Sequence, residues 1–335
     1  MTIWEKIYQE IEKADSIMLT THENPDGDGI GSIVAFYEHL RAKGKECRIL
    51  LTSRLPEEYH FLDSDNNFEV FEEAKHTEWL RNVDLSILLD IGNYTRTGKM
   101  WNVIQENGTT VVNIDHHPYL NGHPFTINVS DVNASATGEL IYSYLKAVDP
   151  DRLSKNVYEA IYIAIMTDTG SFSYNNTNVI CHEIAANAIK AGVETAKIHQ
   201  KIYGSSSRSR IRLLAAVANN LHYTYNGKLV WFKITKEMMK ETDAIKDDVD
   251  GFTDFARAIK GVEVALMIFE NAENSCRINF RSKGHYSINK IAQHFEGGGH
   301  SFAAGAKVNG KISEVASKVV DKTIEIMKEQ EKVTD

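Results

Sequence analysis

The sequence predicts an α/β fold: a mostly parallel sheet flanked by helices in the amino-terminal part, followed by a smaller α+β domain with a mixed sheet. Three observations favour this fold class. Short apolar runs alternate with segments of helical periodicity through roughly the first 190 residues, an Asn226-Gly227 pair gives a hairpin signal in the last third, and 335 residues exceed what one core usually holds. We expect the active-site cleft between the two domains.

The predicted parallel sheet contains four short strands rich in Leu, Ile and Val. Their nearly continuous apolar character indicates burial on both faces, which is typical of parallel strands covered by helices. The strands are predicted at Ser16–Thr21, Glu46–Leu51, Asp84–Asp90 and Thr109–Asp115. Apolar residues at helical spacing predict helices at Ile30–Ala42, Thr137–Val148, Lys155–Thr167 and Val179–Ala191.

The last third follows a Gly- and Ser-rich segment, residues 204–210, which is typical of a linker. A helix is predicted directly after it, at Ile211–Leu221. Beyond it we predict strands at Leu221–Tyr225, Lys228–Ile234, Gly261–Glu270, Ser275–Arg281 and Ser301–Val308, and helices at Ile288–Phe295 and Ile312–Lys328. The predicted division is a metal-binding domain at 1–192, a helical linker at 193–218 and a substrate domain at 219–335.

Composition limits the class of protein. A hydrophobic content of 42% with 25% charged residues is ordinary for a globular enzyme, and no apolar run reaches the roughly 20 residues of a membrane span. The three scattered cysteines, Cys47, Cys181 and Cys276, fit a reducing compartment, so we expect a cytoplasmic location. A net charge of −9 argues against a duplex-binding protein, but short polyanionic substrates stay open if bound cations invert the local field.

The most informative segment is Thr21–Ser32, which places His22, Asp26 and Asp28 in a glycine-rich turn between a predicted strand and a predicted helix. Ligands of open α/β sheets bind at such carboxyl ends of strands. Imidazole and carboxylate donors suit Mn or Mg better than a thiolate-bound zinc. An alternative is an Asp-Gly turn whose acids only cap the next helix.

Further acids and imidazoles stand at the ends of other predicted elements. Asp90 closes one strand, Asp115-His116-His117 closes the next, and Asp168 ends a helix. A lone Asp in such a position is more often a helix cap. Several carboxylates at one edge of a sheet would repel each other unless a cation neutralised them, so the repetition favours a two-metal centre.

Taken in order, these motifs resemble the DHH phosphoesterase family, and the resemblance covers nearly the whole chain. It is carried by the HxxxDxD pattern of His22, Asp26 and Asp28, by Asp90, by the triplet Asp115-His116-His117 and by Asp168 in Thr-Asp-Thr-Gly. Near the carboxyl end, Arg281-Ser282-Lys283-Gly284 and the segment Gly297–Gly305 resemble the associated substrate domain of that family. Within the family, the arrangement is most similar to the nano-RNases, oligoribonucleases that also act as 3′-phosphoadenosine 5′-phosphate phosphatases.

The resemblance implies a role for each matching residue. His22 and Asp26 would bind one cation, Asp28, His116 and Asp168 the second, and Asp90 would bridge the two. Asp115 would support the adjacent imidazole or the loop backbone, and His117 would donate to the scissile phosphate. The implied substrate-binding residues are Arg281, Ser282, Gly297, Gly298, Gly299, His300 and Arg96.

Two of these assignments leave alternatives open, and one neighbouring residue departs from the family pattern. The glycines at 297–299 could cradle a phosphate through their backbone amides or form only a flexible turn. Arg96 could reach the substrate or cap the following helix. Glu296 stands where many family members have a further glycine, which adds a negative charge beside the predicted phosphate site.

The resulting prediction is Mn-dependent hydrolysis of short oligoribonucleotides to nucleoside 5′-monophosphates, together with conversion of 3′-phosphoadenosine 5′-phosphate to AMP. Two divalent cations, Mn or else Mg, would activate a bridging hydroxide that attacks phosphorus without a covalent enzyme intermediate. The alternatives are a phosphodiesterase for linear dinucleotides such as pApA and a non-catalytic module that binds single-stranded nucleic acid. The expected partners are short single-stranded RNA and nucleotide phosphates, with no membrane, and the chain could be a monomer or a homodimer.

Overall fold

The computed structural model describes residues 1–118, 122–204, 206–299 and 301–334. The chain folds as two compact units, Met1–Ser205 and Ser206–Asp335. The first contains a parallel sheet flanked by helices and the second a mixed sheet with helices, which confirms the predicted fold class. We call them unit 1 and unit 2.

The sheet of unit 1 has six strands, all parallel, in the order β3-β2-β1-β4-β5-β6. The strands are β1 (Ser16–Thr20), β2 (Glu46–Leu51), β3 (Phe68–Val70), β4 (Leu85–Leu89), β5 (Thr110–Asp115) and β6 (Ile127–Ser130). The four predicted strands are all present. The two edge strands, β3 and β6, were not predicted. They are only three and four residues long and half-buried, so they lack a continuous apolar run.

Eight helices of unit 1 cover this sheet and its ends. They are α1 (Ile3–Lys13), α2 (Gly27–Ala42), α3 (Glu73–Arg81), α4 (Met100–Asn107), α5 (Thr137–Val148), α6 (Lys155–Asp168), α7 (Val179–Lys190) and α8 (Thr195–Tyr203). Helices α2 and α6 pack so closely at Gly31 that a Cβ there would lie 2.4 Å from the carbonyl oxygen of Ala160. The absence of a side chain at Gly31 therefore sets how near α6, with Asp168 at its end, lies to α2.

The sheet of unit 2 also has six strands, in the order β11-β12-β10-β9-β8-β7, and only the β8–β9 pair is parallel. The strands are β7 (His222–Thr224), β8 (Leu229–Ile234), β9 (Val264–Ala272), β10 (Ser275–Ser282), β11 (Gly298–Gly299) and β12 (Ala303–Asn309). The helices are α9 (Arg208–Asn219), α10 (Lys236–Thr242), α11 (Phe252–Arg257), α12 (Asn289–His294) and α13 (Ile312–Thr334). Within the described ranges of the chain, no helix is both long and apolar enough to span a membrane.

The turn chemistry of unit 2 agrees with the sequence in one place and departs from it in another. Asn226 and Gly227 have φ of 53° and 81° and join β7 to β8 as an antiparallel hairpin, as predicted. The helix predicted to begin at Ile211 instead begins at Arg208, because the Ser207 side chain accepts a hydrogen bond from the Arg210 N–H and so caps it. The predicted linker segment 193–218 thus holds α8, which lies in unit 1, and α9, which lies in unit 2.

Candidate metal centre

The predicted metal ligands of unit 1 converge at one edge of the sheet. The strand order reverses between β1 and β4, and ligands of open α/β sheets bind at the carboxyl ends of strands near such a reversal. His22 follows β1, Asp90 follows β4, and His116 follows β5. Parallel pairing of these three strands therefore brings side chains from distant parts of the sequence to the same place.

The first group of candidate ligands consists of His22, Asp26 and Asp90. The Nε2 atom of His22 lies 3.7 Å from Oδ2 of Asp26 and 3.4 Å from Oδ2 of Asp90. Asp26 also caps α2, since its Oδ1 accepts hydrogen bonds from the N–H groups of Asp28 and Gly29. The helix-cap and metal-ligand interpretations of Asp26 are therefore compatible, because one oxygen caps the helix and the other faces His22.

The second group consists of Asp28, His116 and Asp168. The Nε2 atom of His116 lies 3.6 Å from Oδ2 of Asp28 and 3.8 Å from Oδ2 of Asp168. Within each group the candidate ligand atoms lie within 4.8 Å of one another, close enough for one ion to contact them all.

Asp90 connects the two groups through its two carboxylate oxygens. Its Oδ2 faces His22, whereas its Oδ1 lies 3.7 Å from Nε2 of His116. The residue is buried and has a φ of 59°, a left-handed conformation that is uncommon outside glycine and often marks a functional position. This backbone conformation turns the chain directly after β4.

The two histidines have the ring orientation that metal ligation requires. Nδ1 of His22 lies 2.8 Å from the Glu23 carbonyl oxygen, and Nδ1 of His116 lies 3.4 Å from the Ala134 carbonyl oxygen. A ring that donates through Nδ1 leaves the lone pair of Nε2 free for a cation. In both residues it is Nε2 that faces the carboxylates.

Asp115 and His117 form a pair beside these groups. Oδ1 of Asp115 accepts hydrogen bonds from both the backbone N–H of His117, at 3.1 Å, and its Nδ1, at 2.8 Å. Asp115 is fully buried, whereas 21% of the His117 side chain is exposed. Asp115 thus fixes the loop backbone and the orientation of the half-buried imidazole.

The charges of the site call for a cation. Burial, and after it the neighbouring carboxylates, raises the pKa values of Asp28 and Asp168 well above their usual range. Burial opposes a charged His22, but its hydrogen bonds to Asp26 and Asp90 outweigh burial and raise its pKa to about 10. Without a cation, protons on these groups offset the excess negative charge of the carboxylates. Carboxylate oxygens together with imidazole nitrogens are ligands that suit divalent cations such as Mn²⁺. The residues fit divalent cations.

His117 and Asp90 show the same compensation. Burial disfavours the charged imidazole of His117, yet the hydrogen bonds to Asp115 and Asp90 raise its pKa to about 11. Burial also disfavours the charged form of Asp90, but His117 and His22 hold the pKa of that carboxyl well below its usual range. Asp90 is therefore a charged acceptor and His117 a charged donor at neutral pH.

Arg96 lies beside the first group. Its Nη2 is 2.7 Å from Nδ1 of His22, and its carbonyl oxygen accepts a hydrogen bond from the Glu23 N–H. Nδ1 cannot donate to the Glu23 carbonyl and accept from Arg96 at once. When His22 ligates a cation through Nε2, its Nδ1 carries the proton and donates to the Glu23 carbonyl oxygen, so the contact with Arg96 and ligation exclude each other.

Thr137 and Asn176 also contact the candidate ligands but were not predicted from the sequence. The hydroxyl of Thr137 donates to Oδ1 of Asp90 at 3.1 Å. Nδ2 of Asn176 lies 3.3 Å from Oδ2 of Asp168 and 2.9 Å from the Ser135 carbonyl oxygen. A signal for Thr137 was available, because it opens a predicted helix and helix N-termini bind anions, whereas the polar run after Asp168 gave no specific signal for Asn176.

The predicted substrate-binding residues of unit 2 are partly committed to internal contacts. Nε of Arg281 lies 3.3 Å from Oδ2 of Asp254, whose other oxygen contacts Arg257 at 3.0 Å. Ser282 is buried, and its hydroxyl accepts a hydrogen bond from the Gly284 N–H. Arg257, which the sequence analysis missed, thus places a second guanidinium beside Arg281.

The glycine-rich element of unit 2 is a strand rather than a flexible turn. Gly298 and Gly299 pair with Gly305 and Ala304 of β12. A Cβ at Gly297 would lie 2.1 Å from the Gly305 carbonyl oxygen, so close backbone approach requires that glycine. His300, the remaining predicted residue of this element, lies outside the described residues.

Two protein-family descriptions match this chain. Residues 16–165 match the DHH family, N-terminal domain, and residues 214–329 match the DHHA1 domain. The chain belongs to the DHH family of phosphoesterases. It is therefore a hydrolase of phosphoesters, as predicted, and the ligand positions described above fall in or directly after the matched amino-terminal segment.

Similar proteins span most of the chain. The bifunctional oligoribonuclease and PAP phosphatase NrnA of Thermus thermophilus is 28% identical over 92% of this chain and 90% of its own length. The protein of the same name from Bacillus subtilis is 27% identical over 90% of this chain and 92% of its own. An exopolyphosphatase-related protein from Bacteroides fragilis has a similar crystal structure, with a TM-score of 0.91 and 27% identity over 99% of this chain and 98% of that one.

Proposed function

We propose that this enzyme uses Mn²⁺ to hydrolyse very short RNA, dinucleotides above all, to nucleoside 5′-monophosphates, and that it also removes the 3′-phosphate of 3′-phosphoadenosine 5′-phosphate. The observation that carries the proposal is the placement of Asp90, whose two oxygens face two separate groups of candidate ligands. The names of the two similar bacterial proteins support the choice of substrates.

In this proposal, His22 and Asp26 would hold one cation, Asp28, His116 and Asp168 would hold the other, and Asp90 would contact both. When bound, such a pair of ions supplies the charge that activates water and stabilises an in-line displacement at phosphorus. The remaining work falls to the protein. It arranges four carboxylates, which balance two divalent charges. Asp28 and Asp90 are buried, where electrostatic interactions are strong, whereas Asp168 is partly exposed and Asp26 is exposed.

Asp115 and His117 act on the substrate side of this arrangement. Asp115 holds Nδ1 of the His117 ring at 2.8 Å and so orients the ring, and in this proposal the ring would donate through Nε2 to a phosphate oxygen. A positioned donor that faces developing negative charge stabilises the transition state more than the ground state. Arg281 and the glycine-rich element of unit 2 would bind the remote phosphate or base and so favour short substrates.

The test compares specificity constants. Purified protein with Mn²⁺, with Mg²⁺ and with EDTA is given mixed diribonucleotides, pApA, a longer RNA, 3′-phosphoadenosine 5′-phosphate and pyrophosphate. We expect the highest kcat/KM on diribonucleotides with Mn²⁺, turnover of 3′-phosphoadenosine 5′-phosphate, and no turnover in EDTA. Hydrolysis in heavy-oxygen water should place label in the released phosphate group.

Each contrary outcome points elsewhere. Turnover restricted to pApA would assign the enzyme to linear dinucleotides, and rapid cleavage of pyrophosphate alone would reject the proposed substrates. Tight RNA binding without turnover would favour a binding module. Equal rates in EDTA and in Mn²⁺ would remove the metal centre from the reaction.

A further inference from the structure

The first turn of α5 contacts two candidate ligands that belong to different groups. The backbone N–H of Thr137 donates to Oδ2 of Asp28 at 2.6 Å, and that of Gly138 donates to Oδ1 at 2.9 Å. The hydroxyl of Thr137 donates to Oδ1 of Asp90 at 3.1 Å. One fully buried residue therefore contacts a ligand of the second group through its backbone and the connecting carboxylate through its side chain.

Asp90 needs such a contact because its backbone alone does not fix its side chain. Its N–H donates to the Ile114 carbonyl oxygen, which anchors the main chain in the left-handed conformation. The carboxylate itself is free to rotate about its terminal bond, a torsion with a broad energy profile. Nδ1 of His117, 3.4 Å from Oδ1, also competes for the same oxygen.

The chemistry of the contact is unambiguous. A carboxylate oxygen accepts hydrogen bonds, so the hydroxyl of Thr137 is the donor. A hydrogen bond to a carboxylate is one of the stronger kinds in proteins, and inside the protein it holds the carboxylate plane. That plane decides whether Oδ1 and Oδ2 face the two histidines, His116 and His22, at the same time.

We propose that Thr137 is a positioning residue that holds Asp90 in the orientation in which each of its oxygens faces one cation site. This inference rests on the proposed pair of cations. Loss of the hydroxyl should weaken binding of the second ion and the coupling between the ions, whereas binding of the first ion should change little. The backbone contacts to Asp28 do not depend on the side chain and should survive a substitution.

The experiment compares three variants of the full chain. Thr137→Val keeps the branched shape and removes the donor, and Thr137→Ser keeps the donor. Thr323→Val removes another buried threonine hydroxyl, one that donates only to the Val319 carbonyl of its own helix, and serves as the matched control. Mn²⁺ is titrated into metal-free protein by calorimetry, and electron paramagnetic resonance at saturation reports whether the ions form a magnetically coupled pair.

We expect Thr137→Val to weaken the second Mn²⁺ by roughly 10- to 100-fold, the usual cost of losing a hydrogen bond to a ligand, and to reduce the coupled signal. Thr137→Ser and Thr323→Val should stay within about threefold of the unmodified protein, well below that loss. Wild-type affinities and coupling in Thr137→Val would overturn the inference, as would equal losses in the Ser and Val variants.

The outcome for the unmodified protein separates this inference from the proposed function. Binding of fewer than two ions there would contradict the proposed metal pair itself, before any variant is considered. Circular dichroism of the metal-free proteins checks that each variant folds. Should Thr137→Val fail to fold, Thr137→Ala lacks the same donor without a bulky replacement, and the same two results decide the question.

Discussion

The two units bury different kinds of polar side chain. Within the described residues, every buried Asp, Glu or His belongs to unit 1: His22, Asp28, His39, His76, Asp90, Asp115 and Glu139. The buried polar residues of unit 2 in the same ranges are only Thr and Ser: Thr242, Thr253, Ser275, Ser282 and Thr323. Charged groups of unit 2, such as Arg281 and Asp254, instead pair at partly exposed positions.

This difference indicates where each unit tolerates charge. Burying a carboxylate is costly unless hydrogen bonds or cations compensate it. Hydrogen bonds from Ser135 and Asn178 compensate Glu139, whereas the closely spaced Asp28 and Asp90 favour a site for cations. The partly exposed ion pairs of unit 2 contribute little to stability, because solvent screens them. The side chain of Arg281 in such a pair is 31% exposed.

The contrast between the two units is tested most directly by substituting Asp90, a buried carboxylate of unit 1. Asp90→Asn removes the negative charge that faces both groups of ligands, and kcat/KM should fall on the order of 10³-fold, because several kcal/mol of electrostatic stabilisation are lost. Steady-state kinetics on a diribonucleotide and a Mn²⁺ titration measure the effect. Asp84→Asn is the matched control, since Asp84 precedes the same strand and its carboxylate accepts hydrogen bonds from the N–H groups of Asp15 and Ser16. Losses as large in the control would show that the effect is structural.

The pH dependence of stability gives a second test, at a buried histidine that is not a candidate ligand. Among the residues that the structure describes, neither ring nitrogen of His39 has a hydrogen-bond partner, and the ring packs against Phe36 and Tyr144. Burial lowers its pKa to about 4, although the nearby Asp149 opposes this. Between pH 6.5 and 4 the unfolded chain binds the proton more readily than the folded chain. Stability should therefore fall as the pH falls through this window, by about 3 kcal/mol in all.

The measurement compares two proteins that both carry Trp231→Phe, one with His39 and one with His39→Phe, by urea unfolding from pH 7 to pH 4 in EDTA. Without Trp231, fluorescence reports on the three tryptophans of unit 1, Trp4, Trp79 and Trp101. The acids of the metal centre titrate in both proteins, and only the difference between them isolates His39. Parallel stability curves over this range would reject the assignment.

How much the sequence could predict follows from the same contrast between the units. In a parallel sheet, residues that end neighbouring strands meet at one edge whatever the register, so His22, Asp90 and His116 could be expected to converge. In unit 2, by contrast, Arg281 lies opposite Ala265 and Ala303 through antiparallel register, and register depends on non-local pairing.

The side chains that support the site were only partly accessible from the sequence. Asn176 reaches Asp168 from the segment between α6 and α7, and no local pattern encodes that approach. The place of Thr137 at the start of a predicted helix indicates an anion contact, but not that the anion is Asp90. Glu296 is a position where the sequence did give a signal, because many family members have glycine there. The structure gives the reason why glycine suits this position: its φ is 57°, in the left-handed region.

The expected role of unit 2 in substrate binding is tested at Arg281. Arg281→Gln should raise KM for a diribonucleotide roughly tenfold or more, the value of a charge-assisted hydrogen bond, and leave kcat and Mn²⁺ affinity nearly unchanged. Arg277→Gln is the control, because Arg277 lies four residues earlier on β10 and pairs with Asp250 at 2.7 Å. An equal rise in KM for both variants would show that the effect comes from the overall positive charge of this strand and not from a specific contact of Arg281.

The smallest expected effect separates packing from binding within the glycine-rich element. A Cβ at Gly298 would have no atom within 4 Å, whereas one at Gly299 would lie 2.5 Å from the Ala303 carbonyl oxygen at a φ of 134°. Gly298→Ala should therefore keep the wild-type Tm. If backbone amides here approach a phosphate, the added methyl group should still lower kcat/KM by about three- to tenfold, up to roughly 1.4 kcal/mol. Gly299→Ala should lower Tm as well, because it strains the backbone. Wild-type kinetics in Gly298→Ala would mean that these glycines serve only the pairing of β11 with β12, and the substrate contacts of unit 2 would then rest on Arg281 and its neighbours.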